Sequence, residues 1–559
     1  MRFGSSIRMI QRATVAGIGL LLLSISACHS FKQLPLDTEL IPLQPRVQKD
    51  STTFTAGPNQ LQYNASGLWE LYLEGNAIER GWNNGLLTQE LIQKQERAFM
   101  QTLHNLVPSP KHQWLVRGFI RFFNRDIDRY LQPEYKAEIQ AMASFASSHY
   151  NYLAPPFRRF LYFHAAHDLG HALRDLALVG CTSLAVWGDK SSDGKLLIGR
   201  NFDFYAGDDF AQQKMVVFIR PEKGIPHAMV AWPGMVGAVS GMNLSGLTIT
   251  INAGKSNLPH KAKTPISLLT REILQHAHTI EQAIDIAAKR QVFVAESILI
   301  GSAEDRKAVI LEISPQKLEI YEVDHERGQL ISTNHFKSEG YQQDKRNLEQ
   351  VANSHSLYRF QRVSELIINQ KQLNPQKMAH LLRDRMGLQE QELGMGNEKA
   401  INQLIAHHSV IFQPEDRIMW VSTAPYQLGE FVGYRLDQIF ASKSIDEPMV
   451  RPDTALTLAA DPFSKSQAFR NYEHYRTGFN SIQSMDKSQH LTHEELKNFQ
   501  ALNPSFWKTH AILGKYYADR KQTALALHHY TEAVKLEVSS INERRALLKR
   551  IKRLQKRAD

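Results

Sequence analysis

Short apolar runs separated by Gly, Asn, Asp and Pro dominate the middle of the chain and predict β-strands. The predicted strands lie at 181–187, 195–204, 215–220, 227–232, 245–252, 297–301, 308–313, 330–333, 410–412 and 418–421. Apolar residues at helical spacing intervene at about 265–290 and 356–385. Many strands combined with a few helices indicate an α+β layered fold for residues 181–445.

The segment before these strands, residues 67–180, is predicted to be mainly helical. Its clearest apolar stripe consists of Leu86, Leu87, Leu91 and Ile92. Thr88, with acidic residues shortly after it, predicts a helix start at that point. A change from helical to strand patterning near residue 180 places a domain boundary there.

Residues 446–559 are predicted to form a helical extension that ends in a basic tail. Six positions match the spacing of one tetratricopeptide-type helix pair, namely Leu513, Gly514, Tyr517, Ala526, Tyr530 and Ala533. An unrelated helical hairpin fits the same periodicity. One repeat unit cannot bury its own apolar face, so we expect it to pack on the neighbouring domain or the tail, or to bind a protein partner.

The N-terminus has the pattern of a targeting segment. Arg2, Arg8 and Arg12 precede a short apolar run, and residues 1–27 are predicted to be a signal peptide. Small residues directly before Cys28 resemble a bacterial lipobox, which predicts a lipid anchor on that cysteine; a plain secretory signal with an incidental cysteine is the alternative. Residues 28–66 contain four prolines and are predicted to be a membrane tether.

This anchor predicts a lipoprotein of the cell envelope. Position 29 is His and not the Asp that retains lipoproteins at the inner membrane, which favours the outer membrane with a periplasm-facing domain. The net charge of +10 is partly concentrated in the tail, where a solvated helix or a contact with anionic lipid explains it. Because the sequence contains no nucleic-acid-binding motif, we expect no nucleic-acid partner.

The chain has two cysteines, and the predicted lipid occupies Cys28. Cys181 then has no partner for a disulfide, although exported proteins commonly use their cysteines in disulfides. An unpaired thiol is either buried for packing or used for chemistry. Cys181 follows Gly180, and a Gly-Arg-Asn-x-Asp run that contains Arg200 and Asp203 lies about twenty residues further on.

A thiol attacks an acyl group only when it is a thiolate or has a base beside it. No histidine lies near Cys181 in the sequence. If the Gly180–Cys181 bond were cleaved, the free α-amine of Cys181 could accept the thiol proton. The sequence therefore predicts self-cleavage between Gly180 and Cys181, because glycine leaves room for the thiol to attack the preceding carbonyl.

Two motifs carry a resemblance to a known family. Residues 181–189 (CTSLAVWGD) followed by 199–204 (GRNFDF) resemble the N-terminal-nucleophile (Ntn) hydrolases, and in particular the isopenicillin N acyltransferase group with its bile-salt hydrolase and penicillin V acylase relatives. Upstream, residues 73–81 (LEGNAIERG) resemble the start of that group's propeptide chain. The resemblance covers about 68–430 and implies a four-layer αββα sandwich.

The resemblance also implies roles for six residues. Cys181 would be the nucleophile, Arg200 would favour its thiolate, and Asp203 would orient its amine. Asn252, at the end of the run 246–253, would stabilise an oxyanion. Asn334 and Arg359 match the family's second asparagine and its later arginine. In the structural alternatives Arg200 and Asp203 pair at a strand end, the asparagines occupy turns, and Arg359 is a surface charge.

Three histidines raise a competing possibility of metal binding. His164, His167 and His171 share a helical face with Asp168 beside them, and that spacing could hold zinc. The segment lacks the His-Glu-x-x-His order of metalloproteases, so we expect packing or capping roles. The sequence predicts no metal and no other cofactor.

Two functions remain open from the sequence. In the first, the chain is a self-processing amidohydrolase or acyltransferase that moves an acyl group from a small N-acyl compound through a thioester on Cys181. In the second, it is a non-catalytic, lipid-anchored envelope adaptor that binds a partner through its C-terminal helices.

Overall fold

The computed structural model describes residues 41, 44–172, 180–204, 207–255, 261–441 and 449–558. The predicted signal peptide and Cys28 lie outside these residues. Within them, no helix is both long and apolar enough to cross a lipid bilayer.

The strands confirm all of the predicted positions and add several more. In chain order they are β1 Val47–Gln48, β2 Thr53–Ala56, β3 Asn59–Tyr63, β4 Trp69–Gly75, β5 Thr182–Gly188, β6 Gly194–Phe202, β7 Met215–Pro221, β8 His227–Ala231, β9 Ser240–Asn243, β10 Leu247–Ala253, β11 Glu296–Ser302, β12 Lys307–Ile313, β13 Leu318–Tyr321, β14 Gln329–Ser332, β15 His408–Gln413, β16 Ile418–Ser422 and β17 Phe431–Arg435.

The helices fall mainly before β5 and after β14. They are α1 Ala77–Leu106, α2 Pro110–Phe123, α3 Pro133–Met142, α4 Pro156–Ala172, α5 Asp208–Gln212, α6 Ile266–His276, α7 Ile280–Ala288, α8 Lys345–Asn353, α9 Ser356–Gln370, α10 Pro375–Leu382, α11 Leu436–Ala441, α12 Gln467–Ser484, α13 His493–Leu502, α14 Trp507–Asp519, α15 Thr523–Lys535 and α16 Ile541–Ala558.

The described strands form two sheets. The larger sheet has the order β1-β2-β3-β4-β7-β8-β9-β10-β11-β12-β13, in which only the β4–β7 pair is parallel. The smaller sheet is antiparallel and has the order β14-β5-β6-β15-β16-β17. Apolar side chains of both sheets, including Phe218, Ile198 and Val410, form one buried cluster.

Helices pack against the other face of each sheet. Side chains of α1, α6 and α7 join a second buried cluster with strands of the larger sheet. Side chains of α9 and α10 join a third cluster with strands of the smaller sheet. The chain is thus a mixed α/β protein with large sheets and many helices.

Two local predictions for the N-terminal part need correction. The sequence predicts a tether over residues 28–66, but residues 47–63 contribute three strands to the edge of the larger sheet. The turn between β2 and β3 is tight because Gly57 takes a φ of 56°. The helix expected to start at Thr88 begins at Ala77, because Asn76 and Glu79 form a capping box, and Thr88 instead lies at a kink within α1.

The motif at residues 75–81 positions α1 against α3. The guanidinium of Arg80 pairs with Glu138 at 2.9 Å and with Glu134 at 2.7 Å, and Arg80 and Glu138 are almost fully buried. Gly81 lies so close to α3 that an added Cβ would stand 2.2 Å from the carbonyl oxygen of Glu138. Glycine at this position therefore allows the two helices to approach.

We expect Gly81→Ala to lower the free energy of unfolding by about 1–3 kcal/mol, because the backbone of α3 must move. Gly118→Ala is the matched control in α2: its Cβ would meet no atom within 4 Å, and we expect a gain of about 0.5–1 kcal/mol. Urea unfolding of the full chain, with Cys181→Ala in all variants to keep it uncut, measures both. Equal effects of the two substitutions would refute this account of the helix contact.

Candidate active site

The β5–β6 hairpin brings the two sequence motifs together. Cys181 directly precedes β5, and the antiparallel register places Thr182 opposite Asn201 and Ser183 opposite Arg200. The spacing of about twenty residues between the cysteine and the Arg-Asn-x-Asp run is therefore the length of one hairpin. Cys181 is 1% exposed, and the Gly180–Cys181 bond lies in the interior of the protein.

Arg200 lies beside the thiol and contacts the other sheet. Its guanidinium is fully buried, and Nη2 is 3.9 Å from Cys181 Sγ. Nη1 donates to the carbonyl of Val239 at 2.7 Å and to Ser240 Oγ, and Nη2 donates to the carbonyl of Ile251. The alternative of a simple Arg200–Asp203 pair at a strand end does not account for these contacts.

The thiol of Cys181 is a weak acid in the uncut chain. Burial raises its pKa to about 11, although the charge of Arg200 and a hydrogen bond from the Asp203 amide both act in the opposite direction. At neutral pH the sulfur therefore carries its proton, and it needs a base to attack a carbonyl.

Asp203 provides a carboxylate in the same interior. It is fully buried, and burial raises its pKa to about 7 although Arg359 and Arg200 favour the charged form. Its Oδ2 accepts a hydrogen bond from Gln403 at 3.3 Å, whereas Oδ1 has no hydrogen-bond partner within the described parts of the chain. A carboxyl group that titrates near neutrality can act as a base.

Arg359 is a buried part of the site and not a surface charge. It lies on α9 and is 0% exposed. Its Nη1 donates to the carbonyl oxygen of Cys181 at 2.6 Å and to Thr182 Oγ1 at 2.7 Å. Its Nη2 donates to Asn334 Oδ1 at 2.6 Å. The fork of this side chain thus fixes the backbone on the C-terminal side of Cys181.

Both predicted asparagines are buried near the same backbone, and each of their amides donates to a main-chain carbonyl. Asn252 Nδ2 donates to Ser332 O at 2.8 Å, and its Oδ1 accepts from Ser183 at 3.1 Å. Asn334 Nδ2 donates to Ala253 O at 3.0 Å. In the uncut chain, therefore, neither of these amide groups is directed at the carbonyl of Gly180. The oxyanion role of Asn252 stays a prediction.

Gln403 is a further residue of the site, and no sequence motif predicts it. It is 2% exposed, and its Nε2 donates to the carbonyl oxygen of Gly180 at 2.6 Å. Gln403 lies more than two hundred positions after Cys181 and belongs to none of the motifs. A single polar residue in an irregular segment gives no local signal, so only the fold reveals this contact.

A largely apolar cavity lies between the helical segment and the larger sheet. The space that it encloses is small, about 30 Å³, and its mouth is open to solvent. The lining residues are Ile92, Gln95, Glu96, Phe99, Phe160, Phe163, Phe204, Phe210, Trp232, Pro233, Gly234 and Met235. Phe204 directly follows Asp203, and its ring stacks on Phe202 at 5.7 Å. Residues next to the candidate site thus line the cavity.

The described part of the histidine cluster has a packing role. His164 is buried, with Nδ1 2.8 Å from Phe160 O, and its Nε2 accepts from the Val236 amide at 3.1 Å. Asp168 accepts from the amide of Ile266. The side chains of His167 and His171 lie outside the described residues. Among the side chains that are described, no group of three His, Cys, Asp or Glu residues could hold a metal ion.

The raised pKa of Asp203 predicts a pH dependence of stability. Between about pH 4 and pH 7 the native carboxyl keeps its proton while the unfolded one releases it, so stability falls as the pH rises through this window. We expect Asp203→Asn, in a Cys181→Ala chain, to remove the contribution of this carboxyl group to the fall in the free energy of unfolding. Urea midpoints at about pH 4.5 and 7.5 measure it, and identical pH dependence with and without Asp203→Asn would contradict it.

Part of this chain matches a family of known proteins. Residues 190–425 match the model of a family described as acyl-coenzyme A:6-aminopenicillanic acid acyl-transferase. The matched segment contains five of the predicted site residues and begins after Cys181. An uncharacterised protein of Archaeoglobus fulgidus is 21% identical over 335 residues, which are 54% of this chain and 55% of that protein.

An N-acylethanolamine-hydrolyzing acid amidase of Caenorhabditis elegans is 22% identical over 214 residues, which are 37% of this chain and 56% of that protein. The chain thus spans about half the length of these two curated relatives.

Solved structures similar to the chain include an N-acylethanolamine-hydrolyzing acid amidase ortholog from Caenorhabditis elegans. It has 16% identity, the match covers 42% of this chain and 93% of that one, and the TM-score is 0.30. A mutant of conjugated bile acid hydrolase from Clostridium perfringens has 13% identity over 49% of this chain and 96% of that one, and a TM-score of 0.33. Over residues 190–425 the chain matches the acyl-coenzyme A:6-aminopenicillanic acid acyl-transferase family, and the resemblance predicted from its motifs is confirmed.

Proposed function

We propose that this protein is a self-processing cysteine Ntn amidohydrolase or acyltransferase. The observation that carries the proposal is the buried cluster at the Gly180–Cys181 bond. There Arg200 lies beside the thiol, the backbone carbonyl of Asp203 accepts from the amide of Gly180 at 3.2 Å, and Arg359 holds the carbonyl of Cys181. The family match over residues 190–425 supports the same chemistry.

The first reaction is cleavage of the chain by its own thiol. Asp203 accepts the thiol proton as the sulfur attacks the carbonyl carbon of Gly180, and the proton then passes to the nitrogen of Cys181 as the peptide bond breaks. The product is a thioester between Gly180 and the sulfur. Water hydrolyses it to the carboxylate of Gly180, which leaves Cys181 with a free thiol and a free α-amine.

The second reaction repeats this chemistry on a substrate. The free amine of Cys181, with a reference pKa of about 7.7–8.0, takes over as the base. Asp203 Oδ1, buried and without a hydrogen-bond partner among the described residues, is the acceptor that orients this amine. The sulfur bonds to the acyl carbon of an amide, the C–N bond breaks as the α-ammonium of Cys181 gives its proton to the departing amine, and water or another amine then resolves the thioester. Asn252 stabilises the oxyanion after it exchanges its present partner.

The substrate we propose is a linear N-acyl compound with an apolar acyl group. The cavity next to Phe204 is lined largely by aromatic and aliphatic side chains, which favour a hydrocarbon over a charged group. The name of one relative, an N-acylethanolamine-hydrolyzing acid amidase, agrees with an amide substrate. No metal or other cofactor takes part in either step that we propose.

We propose a four-layer αββα sandwich that consists of residues 181–445 together with strands β1–β4 and helix α1, so the boundary predicted near residue 180 does not separate two domains. The cluster between the sheets and the helices on their other faces support this arrangement. We also propose that Cys28 carries a lipid anchor and that residues 28–180 remain with the enzyme after cleavage, facing the periplasm. Contacts of Glu138 support the association of the two fragments. This residue of the first fragment pairs with Arg80 of the same fragment and also with Arg271 in α6 of the second.

The C-terminal helices fit an intramolecular role better than the adaptor function. The pair α14–α15 contains the six positions of the tetratricopeptide-like pattern, and Gly514 packs against the ring of Tyr530. Their apolar face forms a cluster that also includes Leu404 and Leu428 of the catalytic region. A face that is already covered by the same chain does not leave its groove open for a partner.

We expect export of the wild-type chain to give two fragments that meet at Gly180 and Cys181, whereas Cys181→Ala gives one uncut chain. Intact mass of the purified protein measures this directly. Cys181→Ser is a second variant in which a weaker nucleophile replaces the thiol and cleavage slows. Two fragments from Cys181→Ala would show that another protease makes the cut.

We expect the rate of self-cleavage to rise about tenfold per pH unit below pH 7 and to level off above it, because Asp203 must be charged to accept the proton. Time courses of the uncut chain made by cell-free synthesis measure this. A rate that keeps rising beyond about pH 9 would mean that the free thiolate attacks without Asp203 as the base.

For the processed enzyme we expect hydrolysis of N-acyl compounds to favour long, uncharged acyl chains. A panel that varies acyl length on one amine measures kcat/KM. Trp232→Ala enlarges the cavity and should shift the optimum to bulkier chains, with Trp114→Ala on the exposed face of α2 as the control. An unchanged optimum in Trp232→Ala would remove the cavity from the substrate site.

A further inference from the structure

We propose that Gln403 is the hydrogen-bond donor that stabilises the oxyanion formed at the carbonyl of Gly180 during self-cleavage. The inference rests on the proposed function, since it assigns a residue to the self-cleavage step. It concerns the uncut chain, whereas the predicted oxyanion residue Asn252 serves substrate turnover.

The direction of each side chain supports this assignment. Gln403 Nε2 is 2.6 Å from the oxygen of Gly180, the atom on which the negative charge develops. Arg359 donates to the next carbonyl along the chain, that of Cys181. The amides of Asn252 and Asn334 donate to carbonyls of other segments. Among the described residues, Gln403 is therefore the side-chain donor directed at the scissile carbonyl.

Gly180 fits Gln403 closely. A Cβ at position 180 would lie 2.4 Å from Gln403 Nε2 and 2.6 Å from its Oε1. Any side chain at this position would displace the amide from the carbonyl. The glycine before Cys181 therefore has two effects. It gives the thiol access to the carbonyl carbon, and it allows the amide of Gln403 to approach the carbonyl oxygen.

The chemistry of the step defines what Gln403 does. As sulfur bonds to the carbonyl carbon of Gly180, the π-electron pair moves to the oxygen, and the Nε2–H bond of Gln403 points at it. The same Nε2 is 3.3 Å from Asp203 Oδ2, so one amide touches both the oxyanion and the base. When the tetrahedral intermediate collapses, the electron pair returns to the carbonyl, and Gln403 is unchanged.

The C-terminal extension holds the segment that carries Gln403. The next residue, Leu404, takes a φ of 54° and packs into the apolar cluster of helices α12–α16. Earlier in the same segment, Met395 and Asn503 exchange two hydrogen bonds of 3.0 and 2.9 Å. Asn397 donates to the carbonyl of Glu537 at 2.9 Å. The extension therefore positions the donor without touching the reacting atoms.

The main test is Gln403→Met, which keeps the length of the side chain but removes the N–H donor. We expect self-cleavage of the full chain made by cell-free synthesis to slow by about 10²–10³-fold, the effect of losing one oxyanion donor. Gln427→Met is the matched control. Gln427 is also buried and donates to a main-chain carbonyl, but to that of Leu382 at 2.5 Å and not to that of Gly180, so we expect this variant to be cleaved at the wild-type rate.

A double-mutant cycle tests the direct contact. Gly180→Ala alone should slow cleavage strongly, because its methyl group displaces the amide of Gln403. In a Gln403→Ala background the same substitution meets empty space and should cost much less. Additive effects of Gly180→Ala and Gln403→Ala would overturn the inference, since independent sites show additivity.

Folding and function are checked separately. Melting temperatures of the Cys181→Ala chain with and without Gln403→Met report whether the variant folds; if it does not, the cycle with Gly180→Ala decides. A wild-type chain that is never cut would overturn the proposed function itself. A wild-type chain that is cut, together with a Gln403→Met chain cut at the same rate, would overturn only the role of Gln403.

Discussion

The hydrogen bonds of Arg200 connect the two sheets at the point where the thiol lies. The residue belongs to β6 of the smaller sheet, yet it donates to the carbonyls of Ile251 on β10 and of Val239 just before β9 in the larger one. A guanidinium that is buried away from water needs such acceptors, and these acceptors fix its position. The position of the thiol, the ends of β9 and β10 and the packing of the two sheets therefore all depend on Arg200.

Much of the region between residues 181 and 445 could be predicted because its signals are local. Apolar runs and turn residues give β5 and β6, and the hairpin between them explains the spacing of Cys181 and Arg200. The edge strands β1–β3 were missed because they are short, polar and partly exposed. The contact between Gln403 and Gly180 could not be predicted, since its partners are distant in sequence and lie outside any periodic element. The tetratricopeptide-like spacing predicts a helix pair, but not the surface that the pair covers.

Burial protects the thiol of Cys181. With a pKa of about 11 and 1% exposure, the thiol of Cys181 is shielded from oxidants and from foreign acyl groups in the uncut chain. The same burial raises the pKa of Asp203 towards neutrality. The environment that weakens the thiol as an acid thus strengthens the carboxylate as a base.

The order of synthesis adds a consequence to the packing of Leu404 in the C-terminal helices. Those helices leave the ribosome long after Gly180 and Cys181. If Gln403 needs them to reach the scissile carbonyl, a nascent or truncated chain keeps its peptide bond intact. Under the proposed self-cleavage, the extension would then work as a completeness check, because Cys181 would be released only in molecules whose helices α12–α16 have folded.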